Sequence, residues 1–154
     1  MFVNEIFSGL HPKRKPKAST FENKYQYGKM LVEKNISFHS CCEHHFLPIY
    51  GKAHIAYISS GKIIGLSKLH RILNYYAKRP QVQERMTQEI AETLNNSLKP
   101  KGVAVILEGR HLCMQMRGVE NKNSYSSTSF MTGLFREDSR TRKELLEIIS
   151  MRNK

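Results

Sequence analysis

The run Cys41-Cys42-Glu43-His44-His45 sets a thiol and an imidazole three residues apart, and His111-Leu112-Cys113 sets a second such pair two apart. Thiolate sulfur and imidazole nitrogen are the donors zinc prefers. One helical turn carries Cys42 and His45 on one side. On a strand, His111 and Cys113 share a face. A fold that joins the two runs makes a Cys₂His set of Cys42, His45 and Cys113. Three protein ligands leave a fourth position for water, as at catalytic zinc sites, where the metal lowers the water's pKa towards ~7. Spacing alone leaves other outcomes open. His39, Cys41 or His44 as a fourth ligand makes the site structural, and the same thiols and imidazoles also fit as satisfied core groups.

Other polar groups suit a phosphorylated, nitrogen-rich substrate. Ser67, Lys68 and Arg71 lie at the expected start of a helix, where free N–H groups and the dipole favour a phosphate. Arg117 follows Cys113 by four residues and is expected on the same side of one strand. Glu84 opens a second helix, where a carboxylate suits the dipole and can also accept two N–H bonds from a guanine edge. Each of these charges also fits as an ordinary surface group.

The elements that must position these residues follow from periodicity. Strands are expected over residues 30–40 and 52–58, the second with Ala53, Ile55 and Tyr57 on one face. Ser67 is the expected N-cap of a helix whose stripe is Leu69, Ile72, Leu73, Tyr76 and Ala77. A second helix carries Val82, Met86, Ile90, Leu94 and Leu98 and stops at Pro100-Lys101-Gly102. Strands are expected over 103–107, 112–116 and 125–135, and Thr141 through Glu144 fits a capping box before a last helix. Phe2 to Phe7 reads as the end of an amphipathic helix. The order gives an α+β fold, an antiparallel sheet with helices on one face.

Composition sets the outer bounds. The chain of 154 residues suits one folded domain. No apolar run reaches the ~18 residues of a membrane span. Three cysteines and no signal-peptide pattern argue for a cytoplasmic protein without a disulfide framework. The net charge of +12, with 25 Lys and Arg against 13 Asp and Glu, attracts polyanions. Much of it sits between His11 and Lys17 and beyond Arg136.

Cys42-Glu43-His44-His45, Gly65-Leu66-Ser67-Lys68, the stretch from Arg79 to Arg85, His111-Leu112-Cys113, Arg117-Gly118-Val119 and Thr132-Gly133-Leu134-Phe135 together resemble the GTP cyclohydrolase I family. The resemblance extends over residues 36–149. It implies a tunnelling fold, a four-stranded antiparallel sheet with two helices on one face. Residues 1–28 are then an N-terminal helix remnant and basic loop, and 29–154 the catalytic domain. It implies Zn²⁺ on Cys42, His45 and Cys113, with His44 and His111 as acid–base histidines. Glu84 anchors guanine, with Gln83 and Leu66 contributing mainly backbone. Ser67, counted with the catalytic set, joins Lys68, Arg71 and Arg117 on the ribose and triphosphate side. The implied reaction takes GTP and water to formate and 7,8-dihydroneopterin triphosphate, with a histidine protonating N7. The implied assembly is a homodecamer of two stacked pentamers with active sites between subunits. Family members usually carry further N-terminal helices, so a short form or a fragment is expected, and Cys41 is expected to be a spectator.

Two other readings compete. A tunnelling-fold nitrile reductase needs a reactive cysteine and a nicotinamide cofactor, whereas these runs point to zinc. A nucleic-acid-binding zinc module fits the charge, but no second Cys/His pair completes a finger and the basic residues are dispersed.

Overall fold

The structure, a computed structural model, describes residues 1–151. The last three residues of the expected catalytic segment, and the end of the basic C-terminal stretch, lie outside the described residues. Four long strands form the antiparallel centre: β2 (Met30–Cys42), β3 (Pro48–Ile58), β6 (Gly102–His111) and β7 (Ser126–Met131), in the order β2-β3-β6-β7. The two-residue β5 (Pro80–Gln81) adds a parallel pairing at Cys41 and Cys42. A separate ribbon joins β1 (Thr20–Glu22) to β4 (Lys62–Ile64). One bulge interrupts the β2–β3 ladder between Glu33 and Ile36, where Asn35 takes φ +60, a conformation Asn tolerates better than most residues.

Helices α1 (Leu66–Ala77) and α2 (Gln83–Leu98) lie on one face of the sheet. The expected stripe of α1 is buried in full, as are Met86, Ile90, Leu94 and Leu98 of α2. They close over Phe38, Ile49, Ala53, Ile55, Val105 and Leu107 in one apolar core. Burying side chains of this size contributes about 1.5–3 kcal/mol each. The other face is also covered in part. Ala56, Ile58 and Ala104 pack with Phe135 of α4 (Leu134–Glu137) and Leu145 of α5 (Ser139–Ser150). That second layer explains why β3 is buried on both faces from Ala53 to Ile58.

Several local expectations are corrected. Residues 112–116 are not a strand: β6 ends at His111 opposite Ile49, and Leu112–Gln115 form the helical turn α3, closed by Met116 N–H on Leu112 O at 3.0 Å. Leu, Met and Gln are good helix formers once a strand partner runs out. Ser67 is not the cap of α1. Gly65 is, because Lys68 N–H bonds Gly65 O and draws Ser67 into the first turn. The last helix starts before Thr141, at an Asp138 cap that accepts from Arg140 N–H at 3.0 Å and from Thr141 Oγ1 at 3.0 Å. Phe2–Ile6 form a π-helical turn with no buried residue rather than an α-helix end. Further along, Gly9 N–H bonds Lys78 O at 2.8 Å, so close that a Cβ on Gly9 would lie 2.0 Å from Tyr75 O.

Candidate metal centre

Cys42 ends β2, and the chain turns at once. Phe46 N–H bonds Cys42 O at 2.8 Å, closing a single α-like turn through Glu43, His44 and His45. That turn does what a helix was expected to do and brings His45 back over Cys42, with Nδ1 3.7 Å from Cys42 Sγ. Cys113 arrives in the first turn of α3 rather than on a strand. The β3 hairpin partner unites the two runs: β3 pairs with β2 on one side and with β6 on the other, and its Ile49 lies opposite both Ser40 and His111.

One ligand atom each from Cys42, His45 and Cys113 lies within 4.8 Å of the others. A tetrahedral zinc with sulfur at ~2.3 Å and nitrogen at ~2.0 Å separates its ligands by about 3.5–3.8 Å. The observed 3.7 Å between Cys42 Sγ and His45 Nδ1 fits that spacing. Cys42 is buried, Cys113 half-buried and His45 exposed, so the cluster sits at a rim with one open side. His44 Nδ1 is 3.9 Å from Cys42 Sγ but is not one of the mutually close set. Cys41 directs its Sγ towards Cys42 O at 3.8 Å and also stays outside it. All three cysteines are free thiols. Burial, reinforced by neighbouring Cys42, pushes the Cys113 thiol above its ordinary value.

Other expected residues gather at the same end of the sheet. His111, the last residue of β6, is held by a 2.7 Å contact between Nε2 and Gln83 Oε1. Burial holds His111 below the usual histidine range, and Glu84 opposes that shift without cancelling it. Arg117 Nη1 lies 3.1 Å from His45 Nε2, so it borders the cluster although no strand carries it there. The buried side chain of Gln83 is more than a backbone placeholder. It bonds Leu107 O and Ser126 O, contacts 24 and 43 residues away that no local pattern announces. Glu43, engaged by Arg85, is held below the usual carboxylate range by that hydrogen bond.

Leu66, Ser67, Lys68 and Arg71 are not brought to this cluster. They occupy the start of α1, and His70 between them contacts Glu33 of β2 at 3.0 Å. Glu33 precedes Cys42 by nine strand positions, roughly 30 Å at ~3.3 Å per residue. Within one chain the start of α1, with Ser67 and Lys68, therefore lies towards the other end of the sheet, while Arg117 of the same expected phosphate side borders the metal cluster.

The family model described as GTP cyclohydrolase I matches residues 1–150. A protein named GTP cyclohydrolase 1 from Flavobacterium johnsoniae is 54% identical over 151 residues, covering 98% of this chain and 67% of its own length. A namesake from a Sulfurihydrogenibium species is 51% identical over 152 residues, covering 99% of this chain and 81% of its own length. A solved apo archaeosine synthase QueF-Like is similar in fold, with a TM-score of 0.56 at 13% identity over 68% of this chain and 93% of its own. A match along almost the whole chain, at about half identity and with the Cys/His cluster assembled, shows that the chain belongs to the GTP cyclohydrolase I family.

Proposed function

We propose that this chain hydrolyses GTP to formate and 7,8-dihydroneopterin triphosphate at a zinc ion held by Cys42, His45 and Cys113. The observation that carries the reading is the convergence of those three donors beside His111 and Glu84 in a chain of this family. Bound zinc supplies Lewis-acid activation of water near neutral pH. Glu84 accepts N–H bonds from the guanine edge and fixes the base. His111 handles the proton at N7, which makes C8 electrophilic, and His44 shares that work. Water adds at C8, the imidazole ring opens, and a second hydrolysis releases formate. Ring closure to the pterin returns one water, so the net reaction uses one. Burial disfavours the charged His111 ring, so its bare nitrogen first takes a proton from the water that adds and then passes it to N7.

Arg117, beside His45, is proposed to meet the triphosphate from the same chain. Leu66, Ser67, Lys68 and Arg71 are proposed to reach it from a neighbouring copy, because α1 starts near Glu33, nine strand positions before Cys42, and runs towards the cluster only at its far end. The sheet is suited to such an assembly. Among the described residues, β7 pairs on one side only, and β2 has a second partner only at Cys41 and Cys42. Edge-to-edge pairing into pentameric rings, stacked in a decamer, is the assembly we propose. Among the described residues no helix is long and apolar enough to cross a membrane. The free thiols suit a reducing compartment, and we propose the cytoplasm. The deciding experiment mixes zinc-loaded protein with GTP and measures formate together with fluorescent neopterin after oxidation. Zinc-loaded, folded protein that releases neither overturns the reading.

A further inference from the structure

The side chain of Gln83 is 2% exposed and spans three elements. Its Nε2 lies 3.1 Å from Leu107 O on β6 and 2.9 Å from Ser126 O on β7. Both are carbonyls that only accept, so the nitrogen of the amide must face them, and the usual amide ambiguity is removed. A third contact agrees. Thr87 Oγ1 donates to Gln83 O at 2.7 Å, so Thr128 Oγ1, 2.7 Å away, donates to Thr87 and keeps lone pairs for Gln83 Nε2 at 3.1 Å. Gln83 Oε1 is thereby aimed at His111 Nε2, 2.7 Å away. An amide oxygen only accepts, so His111 Nε2 must carry hydrogen. In the neutral ring Nδ1 is then the bare nitrogen. Gly109 leaves the room for this seat: a Cβ there would lie 2.4 Å from Gln83 Oε1 and 3.3 Å from Ile49 Cγ2.

We propose that Gln83 is a positioning residue that fixes the tautomer and orientation of His111, leaving Nδ1 as the nitrogen that exchanges a proton with the nucleotide. The kinetic side of the proposal rests on the GTP reading; the tautomer itself does not. Solid-state ¹⁵N spectra of histidine-labelled, zinc-loaded protein read the tautomer directly. The wild-type His111 ring, assigned by its loss in His111→Ala, is expected to show hydrogen on Nε2 and a bare Nδ1. Gln83→Leu is expected to give mixed tautomers and to lower kcat for formate release about 10- to 100-fold, by analogy with partners that orient metal-site histidines. KM for GTP and zinc content are expected to stay within about twofold of wild type. In a His111→Ala background the same substitution should change kcat by less than about twofold, because its effect passes through the ring. Gly109→Ala, which displaces the amide without removing it, should lower kcat in the same way and carries the test alone if Gln83→Leu does not fold. Additive losses in the double variant, wild-type kcat in both folded variants, or an Nδ1–H ring in the wild type overturns the proposal. A wild type with the expected ring but no formate from GTP overturns the GTP reading instead.

Discussion

Replacing Cys113 by Ser removes one sulfur from the three-atom cluster and leaves the backbone of α3 unchanged. A serine hydroxyl does not ionise near neutral pH, so the variant keeps two strong ligands. Four-ligand structural zinc sites bind with about 10–16 kcal/mol, roughly 2.5–4 kcal/mol per ligand, which corresponds to about a 10²- to 10³-fold change in Kd. The Cys113 thiol sits above its ordinary value through burial, so it is protonated at pH 7 and part of its binding energy goes into losing that proton. The expected weakening is therefore at the lower end, about 10²-fold at pH 7. The sign also fixes the pH dependence: affinity falls as pH falls, by about one decade per unit for each thiol proton displaced. Cys113→Ser should follow a slope shallower by one proton. Competition against a chromophoric zinc chelator across pH 6.5–8 measures both quantities. Cys41→Ser is the control and should bind as wild type does, because Cys41 stands outside the cluster. A Cys113→Ser Kd within about threefold of wild type, or an equal slope, refutes the ligand assignment.

Glu84→Ala should raise KM for GTP by at least about tenfold, the effect of losing charge-assisted hydrogen bonds of ~1.5–3 kcal/mol, with zinc content unchanged; an unaltered KM rejects its role as guanine anchor. Arg71→Ala and Cys113→Ser subunits should each be nearly inactive alone yet recover about a quarter of wild-type activity when co-assembled, since a shared site can draw both intact halves. No recovery would place both halves in one chain. His54 is 4% exposed, its Nδ1 accepts Asn35 N–H at 3.3 Å, and burial holds its pKa below the usual value. The unfolded chain, titrating near ~6.5, then binds more protons, so stability should fall as pH drops below that value and level off only below the folded pKa. Urea midpoints between pH 7.5 and 5 test this, and a slope identical in His54→Asn would show that His54 is not its source.

Much of the frame was legible because it rests on local repetition. The α1 stripe from Leu69 to Ala77 and the four-residue spacing from Met86 to Leu98 are patterns that a helix must bury, and both are buried. The Cys/His trio that the fold brings together was nominated by side-chain chemistry, since few other residue types suit a soft metal, while its spacing left a fourth ligand or plain core groups open. Less legible were the ends of elements, where neighbours compete on small energies. Asp138 wins the cap from Thr141, and the α3 turn replaces the strand expected after His111.

The Cys/His runs, by their chemistry alone, nominated Cys42, His45 and Cys113 and left a catalytic metal, a structural metal and plain core groups all open. Tertiary structure decided which donors meet, because the β2–β3–β6 register carries residues about 70 apart to one end of a sheet. It excluded Cys41 from the set, held His111 on the Gln83 amide, and set the start of α1, with Ser67 and Lys68, towards the other end. Local sequence encodes what a residue can do and which element it joins. Register and packing, set by partners far along the chain, decide where that chemistry is delivered.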